Sequence, residues 1–112
     1  MSVRRDTFGD MTTIELTRFR VRPEHEEALL AARPGMLADF AADRVGFVDA
    51  RLVRLHDDEW LDVVTWKDPE HLAASREKGA NLPGIAAFFA AIDSLVAAEE
   101  GTLADSPETS AP

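Results

Sequence analysis

Trp60-Leu61-Asp62-Val63-Val64-Thr65-Trp66-Lys67-Asp68-Pro69-Glu70-His71-Leu72 passes from strand chemistry to helix chemistry within three residues. In an extended chain its first half puts Leu61, Val63 and Thr65 on one side and Trp60, Asp62, Val64 and Trp66 on the other. Both sides are largely apolar, whereas a strand with one wet face carries polar residues at every second position. The reading is a central strand that needs two covers. In the second half, Asp68 can accept from the free N–H groups of a first helical turn. Pro69 loses nothing by lacking its own N–H there, and Glu70 suits the positive end of the helix dipole. Trp66 therefore stands where a strand ends beside a helix N-terminus, a place where pockets often open.

Outward from this stretch, Gly46 to Leu55 reads as a strand joined to it by the polar turn His56-Asp57-Asp58, making a hairpin. Upstream, Thr12 to Arg22 is the first strand. Ile14 and Leu16 share one face with Arg18 and Arg20, and Thr17, Phe19 and Val21 share the other with Glu15. Pro23 opens an acidic helix whose Leu29, Leu30, Met36, Leu37 and Phe40 fall on one stripe, and Pro34 predicts a kink or two short helices there. Downstream, a helix from Pro69 stops near Lys78 at Gly79, and Pro83 can start another helical turn after the loop from Asn81 to Gly84. Alanine content alone carries helix from Ile85 to Glu100. The order strand, helix, strand, strand, helix instead asks for a final strand near Asp93 to Glu99, after a break at about Ile92, which completes a split βαβ arrangement.

The 112 residues bound one domain with a real core, placed at residues 12 to 100. Residues 1 to 11 read as a mobile leader, with Met11 an alternative start, and residues 101 to 112 as a disordered tail rich in Ser, Thr, Pro and acid. A net charge of −9 argues against nucleic-acid and anionic-membrane surfaces and leaves a small neutral or cationic ligand open. Cysteine is absent, which removes disulfides and thiolate chemistry. With no apolar signal segment or membrane-length run, the expected location is cytoplasmic. His25 and His71 fall in first helical turns and are expected at the surface. His56 sits in the hairpin turn with Asp57, Asp58 and Glu59, where adjacent acids usually face water, so no metal site is expected.

Three stretches, TRFRVRPEHEEALL, GFVDARLVRL and WLDVVTWKDPEHL, cover most of residues 12 to 100. In them the chain resembles the antibiotic biosynthesis monooxygenase family of small dimeric α/β-barrel proteins. The resemblance implies an α+β, ferredoxin-like βαββαβ subunit whose antiparallel sheet packs on that of a second copy, forming a homodimer. On that arrangement Ile14, Leu16, Leu61 and Val63 face the partner, and Thr17, Phe19, Val64 and Trp66 face the helices. It further implies oxidation of an electron-rich ring, such as an anthrone, phenol or hydroquinone, by O₂ with no cofactor. An ionised phenol can itself give an electron to O₂, so the protein supplies a dry pocket, orientation and a proton acceptor. The expected catalytic pair is Trp66, stacking on the ring and donating its N–H to a ligand oxygen, and Asp62, whose burial would suit it as a base. The structural alternatives are a core tryptophan and an Asp62 paired with an arginine on a neighbouring strand. Thr17, Phe19, Phe40, Val64, Arg76, Asn81 and Phe88 are expected to line the substrate space. A related branch of this fold degrades haem. Thr17 stands where that branch carries asparagine, and no histidine between Ser75 and Ala91 matches its haem ligand, so haem is not expected. A dimeric barrel that binds or carries a small hydrophobic molecule without catalysis fits the same cavity.

Overall fold

A computed structural model describes residues 11–105. In chain order the elements are β1 (Thr13–Arg20), α1 (Pro23–Asp43), β2 (Phe47–Arg54), β3 (Glu59–Trp66), α2 (Pro69–Lys78), α3 (Pro83–Ala90) and β4 (Ser94–Thr102). The strands form one sheet in the order β2-β3-β1-β4, antiparallel throughout, which is the ferredoxin-like βαββαβ topology. At the β2–β3 turn Asp57 and Asp58 both take left-handed backbone angles, φ 60° and 62°, which matches the strand twist. Leu55 N–H closes the turn on the Glu59 carbonyl at 2.8 Å.

Along β3 the residues alternate as the sequence requires: Trp60, Asp62, Val64 and Trp66 are buried under the helices, and Leu61, Val63 and Thr65 are only partly covered. Phe19, Val21, Leu29, Met36, Phe40, Trp60, Ile85 and Phe88 make the main core, with Phe19 and Phe88 packed edge to face at 6.2 Å. Val64, Trp66 and Leu72 form a second cluster under α2.

Helix α1 corrects two expectations. It runs unbroken for 21 residues through Pro34. The carbonyl that loses its partner is that of Leu30, and both Leu30 and Pro34 are exposed, so water can satisfy it. Leu30 is accordingly off the buried stripe, which Leu29, Arg33, Met36 and Phe40 occupy at helical spacing. An arginine thus takes a core position.

Helix α3 lies close against α1 because Gly84 has no side chain: a Cβ there would stand 2.5 Å from the Gly35 carbonyl oxygen. Asp39 of α1 accepts from Gly84 N–H at 2.7 Å, putting a carboxylate at the start of α3. Asp68 caps α2 as expected, accepting from His71 N–H at 2.8 Å. It also bonds the His71 ring at 2.7 Å, and His71 is half-buried against Gly46 instead of solvated. A Cβ at Gly46, where φ is +87°, would sit 2.3 Å from the His71 ring.

Among the described residues no helix covers the opposite side of the sheet, where Ile14, Leu16, Leu61 and Val63 are half-buried. Strand β4 appears where the order of elements demanded it, but it continues through Gly101 and Thr102, and Leu103 N–H still bonds the Thr12 carbonyl at 2.8 Å. All nine β4 residues are exposed. Residues 1–10 and 106–112, which hold most of the expected leader and tail, lie outside the described residues. Among the described residues no helix is long and apolar enough to cross a membrane.

Candidate functional site

The β1–β3 register pairs Glu15 with Val64, Thr17 with Asp62 and Thr13 with Trp66. Antiparallel partners share a side, so Glu15, Thr17 and Phe19 lie among Trp60, Asp62, Val64 and Trp66 under the helices. Glu15 is the diagonal neighbour of Trp66, within reach of a long side chain. The indole N–H of Trp66 donates to Glu15 Oε1 at 3.0 Å. From α2, Arg76 brings Nε to 3.7 Å from Glu15 Oε2 and donates from Nη1 to Glu100 Oε1 at 2.8 Å. Glu100 stands opposite Glu15 on β4.

This setting raises the Glu15 pKa above the ordinary carboxylate value. Burial is the largest cause; the Trp66 hydrogen bond and Arg76 oppose it, and Asp62 and Glu100 add to it. The side chain keeps 19% of its surface open. Beside it, Ala98 and Glu100 on the same side of β4 are exposed, so the approach to Glu15 lies over that strand. A carboxylate whose pKa burial raises, reachable from solvent and flanked by an indole and a guanidinium, can take and return a proton.

Trp66 itself is only 1% exposed. Its ring packs against Phe40 at 6.2 Å and Phe47 at 5.8 Å, and its N–H is taken by Glu15, so neither the face nor the donor expected for a ligand is open. Asp62 is equally engaged. Arg33 grips it with two parallel bonds, Nη1 to Oδ2 at 2.7 Å and Nη2 to Oδ1 at 2.9 Å, and the guanidinium lies 5.1 Å from the Phe88 ring centroid. The partner expected on a neighbouring strand comes from α1. Acting as a base, Asp62 would have to leave a bidentate pair in which both residues are less than a tenth exposed.

No family model matches the chain, and no curated protein matches it. Solved structures do. A protein from Chloroflexus aurantiacus J-10-fl assigned to the antibiotic biosynthesis monooxygenases superposes with a TM-score of 0.58 at 21% identity, covering 81% of this chain and 91% of its own. SnoaB, a cofactor-independent oxygenase from Streptomyces nogalater, gives 0.57 at 23% identity over 80% of this chain and 88% of its own. A Caulobacter crescentus CB15 protein of the same assignment gives 0.64 at 10% identity, over 88% and 94%. This chain has their fold.

Within that fold Thr17, half-buried, and Val64 stand on the same side of the sheet as Glu15, and Arg76 reaches Glu15 from α2. Phe19, Phe40 and Phe88 are core residues. Asn81 is elsewhere engaged: it accepts from Arg44 at 2.7 Å and donates to Asp43 at 3.2 Å. Arg44 also donates to Ser75 Oγ at 2.7 Å and to the Gly79 carbonyl, tying the ends of α1 and α2 together. Among the described residues no three His, Asp or Glu side chains converge as metal ligands do. At the hairpin, His56 and Asp57 are exposed, and Glu59 pairs with Arg18 at 3.1 Å and Arg20 at 2.9 Å.

Sequence reasoning missed Glu15 and Arg33. Glu15 had a signal, an acid alternating with Thr17 and Phe19 on the helix-facing side of the first strand. Arg33 had a fainter one, four residues after Leu29 and three before Met36.

Proposed function

We propose that this protein is a cofactor-independent monooxygenase that oxidises an aromatic small molecule, an anthrone, phenol or hydroquinone, with O₂. The observation that carries the reading is the half-buried Glu15 carboxylate, hydrogen-bonded by Trp66 and approached over β4, with the half-exposed Arg76 guanidinium beside it. Chemistry of this kind asks the protein for little beyond a proton acceptor, a cation for the phenolate oxygen and an apolar wall. Shared fold with SnoaB, a cofactor-independent oxygenase, supports it. Trp66 holds Glu15 and backs the site with Val64, and Arg76 takes the ligand oxygen.

The working form is a homodimer. Ile14, Leu16, Leu61 and Val63 offer an apolar strip, with Arg18, Arg51 and Glu99 at its margins by register, so a second copy can match both the apolar and the charged parts. Light scattering at micromolar concentration is expected to give twice the 12.3 kDa chain mass, and a mass of one chain removes the dimer. Oxygen uptake against a panel of anthrones and hydroquinones tests the activity.

The second reading, a dimeric barrel that binds or carries a hydrophobic molecule, is favoured by the full engagement of Trp66 and Asp62. Binding across the panel without oxygen uptake would select it.

A further inference from the structure

We propose that Glu15 is the catalytic base, its carboxylate taking the acidic proton of the bound aromatic and returning it later in the same turnover, with Trp66 as its positioning residue and Arg76 beside it on the ligand oxygen. The proposal rests on the oxygenase reading and assigns the step that reading leaves open. Asp62 faces the same side, but both its oxygens are held by Arg33 at 2.7 and 2.9 Å. Glu15 has one oxygen held by the Trp66 N–H, while its other oxygen lies 3.7 Å from Arg76, beyond hydrogen-bond length, and remains available to a substrate proton. The charged groups around it are Asp62 on β3, Arg33 on α1 bound to Asp62, Arg76 on α2 and Glu100 on β4.

For an anthrone the atoms balance with one carboxylate acting twice. Glu15 takes a proton from the ring CH₂, leaving a delocalised carbanion. The carbanion passes one electron to O₂, and the superoxide and ligand radical combine to form the C–O bond. The peroxide anion takes the proton back from Glu15. Glu15 then removes the remaining C–H proton as the O–O bond breaks, and hydroxide leaves with that proton as water. The sum is CH₂ plus O₂ giving C=O plus H₂O, with the substrate oxidised and O₂ reduced. The requirement selects substrates whose CH or OH proton a carboxylate can take, namely anthrones and polyhydroxylated phenols, over simple arenes.

Two probes separate this proposal from the reading it rests on. Dithranol, a dihydroxyanthrone, reports turnover by oxygen uptake. Emodin, an anthraquinone already at the product oxidation level, reports through its visible spectrum whether a bound phenol is ionised. With dithranol, Glu15→Gln is expected to lower kcat about 100-fold or more, the usual worth of a general base, with KM changed less than about threefold. Glu15→Asp recovers part of the loss. Trp66→Phe, which removes a hydrogen bond to the carboxylate, shifts the kcat–pH profile to higher pH. With emodin, the wild type ionises the bound dye at higher pH than Glu15→Gln does, because the Glu15 carboxylate beside the phenol opposes a second negative charge. Wild-type turnover with Glu15→Gln within about threefold of it overturns the base and leaves the oxygenase. No wild-type oxygen uptake removes the oxygenase reading for this probe, and emodin then decides Glu15 alone: identical titrations in wild type and Glu15→Gln overturn it. Failure of both probes to bind overturns both.

Discussion

Removing one partner of the Arg33–Asp62 pair should cost more stability than any other polar substitution in the molecule. The two bonds are 2.7 and 2.9 Å, the residues are 8% and 7% exposed, and the guanidinium also lies against Phe88. Asp62→Leu leaves a guanidinium under the helices with no counter-charge, and Arg33→Met leaves a carboxylate in the same position. Each loss is expected to cost about 3–5 kcal/mol, because the remaining charge is desolvated without compensation. With a urea m-value of about 1.5 kcal/mol/M, that moves the unfolding midpoint down by about 2–3 M. Replacing both, Arg33→Met with Asp62→Leu, keeps the volume and the contact with Phe88 and removes both charges. The double variant should lie within about 1 kcal/mol of the wild type. Urea unfolding by tryptophan fluorescence measures all four proteins, at one protein concentration because association would shift the midpoints together. Single substitutions that each cost under about 1 kcal/mol, or a double whose loss equals the sum of the singles, would refute the claim that burial makes this pair interdependent.

Glu15 gives the opposite sign. Its folded pKa is raised, chiefly by burial, so the folded state prefers the proton, and stability falls as pH rises from about 4.3 through the folded value. Glu15→Gln should melt close to the wild type near pH 4 and above it near pH 8; equal melting at both would contradict the shift. Asp93 is held low, first by the Arg22 backbone N–H at 2.7 Å and then by His25 at 2.8 Å. Its contribution is present above the unfolded value of about 3.9 and lost as pH falls through the folded one. Asp93→Asn should flatten the acid limb of a melting-temperature profile, and an unchanged limb would count against that clasp. Gly84→Ala forces α3 off the Gly35 backbone; about 2 kcal/mol is expected, or roughly 10 °C in melting temperature, and a drop under about 2 °C would show that the helices part freely.

Features set by neighbours in sequence were legible before the structure. The Asp68 cap, the Gly79 stop and the two faces of β3 depend on residues within a few positions of one another, so their chemistry is written locally. Pro34 misled because the cost of a proline depends on where the orphaned carbonyl faces, and that is settled by the packing of the whole helix. Leu30 misled with it: a stripe drawn by hydrophobicity passes over Arg33, whose partner lies 29 positions away.

The sequence by itself determined the order of elements, the split βαβ arrangement, the helix starts and which strand residues share a face, because periodicity and capping act over one or two turns. Which side chains meet at the candidate site was decided by tertiary structure alone. It brought Trp66 to Glu15 across 51 positions, Arg33 to Asp62 and Arg76 to Glu100, turning the two residues expected to do chemistry into engaged partners and leaving Glu15 as the carboxylate with an open oxygen. A side chain's type shows what it can bond, but register and helix placement decide what it meets.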